Sequence, residues 1–187
     1  MANKEFDLQG VNHLALVCKD MARTVDFYTN ILGMPLIKTI ELPGGRGQHF
    51  FFDIGNGDSL AFFWFPDAPE AVPGVASAMP HLIPGTSAHG SMNHVAINVP
   101  ADKIDEYHKK LVEKGVKCSP VISHDDSPQQ ASLEITPTTF VRSIYFYDPD
   151  GIGLEFACWN RTLGAPSDVA VKAAKADDKQ KYLEPAQ

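Results

Sequence analysis

The chain repeats itself, and this duplication restricts its fold more than any other feature of the sequence. The segment NHLALVCKDMARTVDFYTNILGM at residues 12–34 matches NHVAINVPADKIDEYHKKLVEKGV at residues 93–116 once a single insertion is allowed. Each copy opens with an alternating apolar stretch typical of a strand and continues with helical spacing, which ends at Gly33 or Gly115. Two copies are too few for a solenoid, so we expect the copies to pair into one structure.

Three more strand-like runs follow each predicted helix, and glycine-containing turns precede the last run of each copy, at Gly57 and Gly151. Each unit is therefore strand, helix, strand, strand, strand. The sequence predicts an α+β fold made of two βαβββ modules, at residues 9–66 and 92–160. We expect both modules to belong to a single domain.

Two segments fall outside the repeat. Residues 67–91 are rich in proline, glycine, alanine and serine, and they are too long for an ordinary connection. They are predicted to be a linker or a lid over the site. Residues 161–187 lack a strong apolar period and are predicted to form a C-terminal tail.

Charge and composition argue against several classes of partner. The net charge is −7, whereas nucleic acid and anionic membrane surfaces select basic patches. No apolar run approaches the roughly 20 residues of a membrane span, and the first ten residues have no signal-like apolar core. The three cysteines are scattered without CxxC spacing, as expected of reduced thiols in a cytoplasmic protein.

Three side chains indicate a metal site. His13 and His94 open the two repeats at equivalent positions, and Glu155 interrupts an apolar strand between Leu154 and Phe156. A lone histidine is more often a structural residue than a ligand, but a carboxylate on a core strand is costly unless it is paired or bound to a metal. Two histidines with one carboxylate form a facial ligand set for Fe(II), Mn(II) or a similar divalent ion, with open positions for substrate.

The duplication also predicts where a fourth ligand would lie. Glu155 follows Gly151 by four residues, and Ala61 follows Gly57 by four. Alanine cannot coordinate, so three protein ligands remain. Asn12 and Asn93, next to the histidines, are interpreted as turn or strand-start residues rather than as part of the chemistry.

The segments VNHLALVCKDMARTVDFYTNILGM and YFYDPDGIGLEF resemble the vicinal oxygen chelate superfamily, which includes glyoxalase I, bleomycin and fosfomycin resistance proteins and type I extradiol dioxygenases. The resemblance covers about residues 9–160. It implies paired βαβββ modules that form a curved sheet around a metal cleft. It also makes a homodimer or higher homo-oligomer plausible.

Within that superfamily the three-ligand pattern looks most like the small extradiol dioxygenases. Their tyrosine ten residues before the metal glutamate corresponds to Tyr145. The resemblance thus implies Fe(II), or else Mn(II) or another divalent metal, acting with O₂ on a catechol or related aromatic diol. Those enzymes carry a catalytic histidine where this chain has Asp58, which leaves the acid–base residue open. His49 is the preferred substitute, with His81 and His89 in the long loop as alternatives.

An aromatic substrate needs an apolar wall, and the first module offers candidates for it. The residues considered are Phe51, Phe62, Phe63, Trp64, Pro80 and His81. At least half of the aromatic residues are expected to be sheet core instead. Two rival functions stay open. One is a glyoxalase-like metal-dependent isomerase or lyase, and the other is a protein that binds a small molecule or drug without turnover.

Overall fold

Two four-stranded sheets, one from each repeat, make up the protein. The computed structural model describes residues 5–75 and 87–169. In the first sheet the strand order is β1-β4-β3-β2, and in the second it is β5-β8-β7-β6. The eight strands are β1 (His13–Val17), β2 (Leu36–Leu42), β3 (Gly47–Gly55), β4 (Asp58–Trp64), β5 (Val95–Asn98), β6 (Ile122–His124), β7 (Val141–Tyr147) and β8 (Gly153–Trp159).

One main helix follows the first strand of each sheet. Helix α1 (Met21–Asp26) continues into a π-helical turn (Phe27–Ile31), and α2 (Ile104–Glu113) occupies the same place in the second copy. A short α3 (Pro166–Val169) lies after β8, and a 3₁₀ turn (Pro43–Gly45) separates β2 from β3. The strand β1 is parallel to β4 and β5 is parallel to β8, while the other pairs are antiparallel. The predicted α+β fold with two βαβββ units is therefore confirmed.

Local sequence signals explain where the helices begin and end. The Asp20 side chain accepts a hydrogen bond of 3.1 Å from the backbone N–H of Arg23, which caps α1. Gly33 and Gly115 have φ of 74° and 77°, in the left-handed region where glycine ends a helix without steric cost. Both glycines were expected from the sequence to end their helices.

The two-residue period of the strands gives each sheet two different faces. One face packs on the helices and forms the core, which includes Phe52, Phe62, Phe146 and Leu154, all at most 1% exposed. The opposite face carries His13 and Ala15 in the first sheet, and Tyr145 and Glu155 in the second. It is this second face that carries the candidate site.

The two modules are joined by contacts around Asp148. The Tyr28 hydroxyl donates a hydrogen bond of 3.2 Å to Asp148 Oδ2, and both side chains are buried. The same carboxylate accepts, through Oδ1, hydrogen bonds of 2.9 Å from the backbone N–H groups of Asp150 and Ile152. Burial nevertheless raises the pKa of Asp148 to about 6, since desolvation outweighs these hydrogen bonds.

The cysteines, the long loop and the C-terminal tail were also described by predictions from the sequence. The three cysteines are unpaired. No helix in residues 5–75 or 87–169 is both long and apolar enough to cross a membrane. Of the predicted linker or lid, the structure describes residues 67–75 and 87–91, where the Ser91 hydroxyl donates a 3.1 Å hydrogen bond to the carbonyl of Gly74. The part of the tail that follows α3 lies outside the described residues.

Candidate metal centre

His94 and Glu155 meet on the second sheet. His94 directly precedes β5, and Glu155 lies on the neighbouring strand β8, where it pairs with Ala96. The Nε2 atom of His94 lies 2.8 Å from Oε2 of Glu155, and the Glu155 side chain is only 6% exposed. Two of the three predicted ligands are therefore in direct contact.

The asparagine before each histidine orients its ring. His94 Nδ1 lies 2.6 Å from Asn93 Oδ1, and His13 Nδ1 lies 2.7 Å from Asn12 Oδ1. An amide oxygen can only accept, so the proton of each neutral ring is on Nδ1 and the lone pair is on Nε2. Metal-ligating histidines are commonly held in this way by a second hydrogen-bonding group. The sequence interpretation gave these asparagines no chemical role, although their repetition next to the histidines was a signal that could have revealed it.

The His94–Glu155 contact fits a cation. The Nε2 atom of His94 faces a carboxylate oxygen at a distance too short for two bare acceptors, so a proton or a metal ion must lie between or beside them. Two ligands at about 2.1 Å from one metal and at right angles are about 3.0 Å apart. The observed distance of 2.8 Å is near that value. The donor set is thus suited to a divalent metal.

Strand register confirms the equivalence of Ala61 and Glu155. Ala15, two residues after His13, pairs with Ala61, just as Ala96, two residues after His94, pairs with Glu155. Ala61 is fully buried and has no donor atom. Within residues 5–75 and 87–169, no group of three or more His, Cys, Asp or Glu side chains is placed to hold a metal ion. The structure therefore brings His94 and Glu155 together but does not bring His13 to them.

Tyr145 lies beside the ligand pair. It pairs with Glu155 across β7 and β8, and its ring lies edge-on to His94 with a centroid distance of 5.6 Å. Burial raises the pKa of Tyr145, and the neighbouring Glu155 carboxylate raises it further. The phenol thus keeps its proton and can donate a hydrogen bond. Tyr145 and Glu155 therefore lie on the same face of the second sheet.

A histidine that the sequence interpretation did not consider completes this cluster. His124, on β6, places its Nε2 atom 3.0 Å from the Tyr145 hydroxyl. The buried Ser143 hydroxyl lies two residues from Tyr145 on the same strand and has no hydrogen-bond partner within the described residues. His124 was hard to find from sequence because it lies 21 residues from Tyr145, on a strand of only three residues.

The first sheet holds an aromatic surface around His13 and His49. The His49 ring stacks on Phe63 at 3.6 Å between centroids, and the Phe51 ring lies 4.3 Å from His49 and 5.7 Å from His13. Burial lowers the pKa of His49, and the proximity of His13 lowers it further. Its Nε2 atom is buried without a hydrogen-bond partner in the described residues. His49, Phe51 and Phe63 thus share one face of the first sheet.

The remaining candidate residues do not lie on this aromatic surface or are outside the described residues. Trp64 lies on the opposite face of β4, packs against the core and donates a 3.2 Å hydrogen bond to the Lys19 carbonyl. Phe62 belongs to the core, as expected for part of the aromatic set. His89 is exposed in a turn. Pro80 and His81 lie outside the described residues.

Comparison with known proteins places the fold in a family. A model of the Glyoxalase/Bleomycin resistance protein/Dioxygenase superfamily matches residues 10–156. The chain belongs to this superfamily. A solved glyoxylase/bleomycin resistance protein/dioxygenase domain from Frankia sp. EAN1pec aligns with a TM-score of 0.60 at 17% identity, and covers 84% of this chain and 96% of that one. At that identity the likeness describes the fold alone.

Relatives within the superfamily differ in function. The metallothiol transferase FosB of Lysinibacillus sphaericus is 27% identical over 149 residues, covering 80% of this chain and 82% of FosB. The putative ring-cleaving dioxygenase MhqE of Bacillus subtilis is 25% identical over 112 residues, covering 58% of this chain and 32% of MhqE. A lactoylglutathione lyase of Pseudomonas aeruginosa is 34% identical over 59 residues, covering 32% of this chain and 31% of the lyase. Superfamily membership is established, and these names do not select one activity.

Proposed function

We propose that the protein is a divalent-metal-dependent enzyme whose ligands are His13, His94 and Glu155. The observation that carries the proposal is the 2.8 Å contact between His94 Nε2 and Glu155 Oε2, with both histidine Nδ1 atoms held by asparagine. This arrangement aims one imidazole lone pair and one carboxylate at the same point. Three protein ligands leave coordination positions open for a substrate, which suits a catalytic site.

The third ligand is proposed to come from a second copy of the chain. Strands β1 and β5 are both edge strands, with β4 and β8 as their respective neighbours. An edge strand presents unpaired backbone groups that favour pairing with another strand. Pairing of β1 in one copy with β5 in the other would bring His13 next to His94. It would also bring the aromatic surface of Phe51 and Phe63 to face Tyr145.

A mixing experiment tests the shared site. His13→Ala and Glu155→Ala homodimers should each lose Mn(II) binding. A mixed dimer of the two variants retains one complete ligand set if the site is shared. Isothermal titration of the mixture should therefore recover one Mn(II) site per mixed dimer. If the mixture binds no more Mn(II) than the separate variants, the site is not shared between copies.

The proposed reaction is extradiol ring cleavage of a catechol or related aromatic diol by O₂, with both oxygen atoms retained in the ring-opened product. When bound, Fe(II), or Mn(II) in its place, supplies Lewis acidity toward the diol and an electron path to O₂. Tyr145 donates a hydrogen bond to the diol oxygen as that oxygen gains negative charge. Phe51 and Phe63 supply the aromatic wall, and His49 offers a neutral base on the same surface. The aromatic surface and the likeness to MhqE support this choice.

A glyoxalase-like isomerase or lyase is the second candidate. It is favoured by the Tyr145–His124 hydrogen bond, which can move a proton without any oxidant, and by the likeness to the lactoylglutathione lyase. A non-catalytic binding protein is the third. It predicts that His94→Ala leaves the affinity for an aromatic ligand unchanged, since the aromatic surface belongs to the first sheet.

Oxygen uptake distinguishes these functions. Protein reconstituted anaerobically with Fe(II) is mixed with a panel of catechols that includes 2,3-dihydroxybiphenyl, beside the His94→Ala variant and a control on α2, the half-buried His108→Ala. The proposal predicts uptake coupled to a coloured ring-fission product, lost in His94→Ala and kept in the control. Metal binding without uptake on any diol would refute ring cleavage. Turnover of a methylglyoxal–thiol adduct without O₂ would then favour the second candidate.

A further inference from the structure

The hydrogen bond between His124 and Tyr145 gives the site a group with no role assigned so far. Tyr145 pairs with Glu155, and His124 pairs with Val141 on the far side of the same strand. Val141 and Tyr145 lie four residues apart on one face of β7, so the side chains of His124, Tyr145 and Glu155 share that face. The separation of 3.0 Å between His124 Nε2 and the Tyr145 hydroxyl is a hydrogen bond of ordinary length.

The direction of this hydrogen bond follows from the other ring nitrogen. His124 Nδ1 lies 3.4 Å from the carbonyl oxygen of Gln130, which can only accept. This contact favours the tautomer protonated at Nδ1, in which Nε2 accepts the proton of the Tyr145 hydroxyl. A phenol has a single proton, so a donation toward His124 withdraws it from the Glu155 side. The position of the phenol proton therefore connects His124 on β6 with the face of the sheet that carries Glu155.

His124 could have a simpler role, which is to anchor the loop that follows β6. That loop already has its own hydrogen bonds. Asp125 accepts from the backbone N–H of Ser127 at 3.0 Å and from the Thr136 hydroxyl at 3.0 Å, and Ser123 exchanges two backbone hydrogen bonds with Ser132. The loop does not need the His124 ring to hold it. The ring is only half-buried, so part of it is in contact with solvent.

We propose that His124 and Tyr145 form a proton relay for the metal site, in which two proton transfers are coupled. The substrate O–H bond breaks as its proton forms a bond to the Tyr145 oxygen. At the same time the phenol O–H bond breaks and its proton binds His124 Nε2. Tyr145 ends with the proton that came from the substrate, and it donates a hydrogen bond through that proton to the substrate oxygen, which is now an anion. His124 becomes an imidazolium, and the reverse sequence delivers a proton to product. His124 acts through Tyr145 and is therefore a positioning residue. This proposal rests on the proposed function, and it supplies an acid–base group on the second sheet in addition to His49 on the first.

The first test locates the proton on His124 without using activity. Protein labelled with ¹⁵N-histidine is studied by long-range ¹H–¹⁵N correlation in the wild type and in Tyr145→Phe, with His108 on α2 as the control ring. The relay predicts that neutral His124 is protonated at Nδ1 in the wild type and that Tyr145→Phe raises the population protonated at Nε2. His108 should not change. A wild-type ring protonated at Nε2, or a Tyr145→Phe spectrum identical to the wild type, would overturn the relay.

The second test separates proton transfer from positioning alone. His124→Gln retains an oxygen that can accept from Tyr145 but cannot carry the relayed proton, and His124→Ala removes both. The relay predicts that both variants lose at least about 100-fold in kcat, a typical loss for a general acid–base group. Mn(II) affinity should change less than the about 10- to 100-fold expected for a ligand-orienting group. Recovery of kcat in His124→Gln would overturn the relay.

The two tests also separate this proposal from the proposed function. If the wild type binds no metal or turns over no substrate, the proposed function fails, and the spectra alone decide whether His124 exchanges a proton with Tyr145. If the wild type is active and both His124 variants keep their kcat, the relay fails while the metal site stands.

Discussion

Replacement of Asp148 by asparagine tests the contact that joins the two modules. The Asp148 carboxylate is 5% exposed, and it accepts two backbone hydrogen bonds through Oδ1 and the Tyr28 hydroxyl through Oδ2. Asparagine has nearly the same shape. Its amide oxygen can keep both backbone hydrogen bonds, and its NH₂ group can donate to the Tyr28 oxygen. The substitution therefore removes the buried charge and retains the contacts.

The sign and size of the effect follow from the pKa of Asp148. Its rise from the ordinary 3.8 to about 6 means that the fold favours the protonated form. This group's contribution to stability is fully present below about pH 3.8 and is lost as the pH rises through about 6. The whole shift corresponds to about 3 kcal/mol. About 2 kcal/mol of this contribution to the free energy of unfolding is lost as the pH rises from about 4.5 to 7.5.

Urea unfolding of the wild type and Asp148→Asn at a series of pH values measures this difference. The free energy of unfolding of the variant, relative to the wild type, should rise by about 2 kcal/mol from about pH 4.5 to 7.5. Tyr28→Phe is the matched variant: it removes a hydrogen bond that lowers the Asp148 pKa, so its pH-dependent loss should extend to higher pH. A relative stability of Asp148→Asn that is constant with pH, or that falls as pH rises, would refute the reasoning.

Three further substitutions test other parts of the structure. Asn93→Ala should weaken Mn(II) binding about 10- to 100-fold in isothermal titration, because His94 loses the partner that fixes its ring. Gly47→Ala should destabilise the protein by about 2–4 kcal/mol in urea unfolding, because its φ is 138° and a Cβ there would lie 2.0 Å from the Trp64 carbonyl oxygen. Phe63→Leu should raise KM for a catechol about 2- to 10-fold in steady-state assays, because a ring contact is lost.

Each of these has a matched control. Asn160→Ala changes an exposed asparagine after β8 and should keep the metal affinity of the wild type. Gly44→Ala also has a positive φ, but a Cβ there meets nothing within 4 Å, so it should cost much less than Gly47→Ala. Phe63→Tyr keeps the ring and should keep KM. Equal effects of a substitution and its control would contradict the assigned cause.

Much of the fold was predictable because its signals are short-range sequence patterns and occur in both repeats. The alternating stretches, the helix-ending Gly33 and Gly115, and the four-residue offset of Ala61 and Glu155 from their turns all follow from short-range rules. Strand register then confirmed the last of these equivalences. The separation of the two metal-ligand halves within one chain was not predictable. It depends on how the two modules pack, and that packing involves long-range contacts such as the one between Tyr28 and Asp148, which are 120 positions apart.

The face on which a site residue lies could be predicted from the alternation of side chains along a strand. His49 lies twelve residues before Ala61, an even offset that fits its place on the site face, and the same two-residue period explains why Phe51 and Phe63 share that face and Trp64 does not. The role of His124 was not predicted, because its contact with Tyr145 depends on which residues of the short strand β6 pair with β7. The contacts of Asn12 and Asn93 with the histidine rings were not predicted either, because asparagine before a strand is usually a turn residue.

Titration of Mn(II) into the full chain tests the central claim most directly. The wild type should bind one metal ion per chain, and His13→Ala, His94→Ala and Glu155→Ala should each lose at least about 100-fold in affinity, while His108→Ala should not. Wild-type affinity in any of the three ligand variants would remove that residue from the site. Unchanged affinity in both His94→Ala and Glu155→Ala would contradict the metal centre itself.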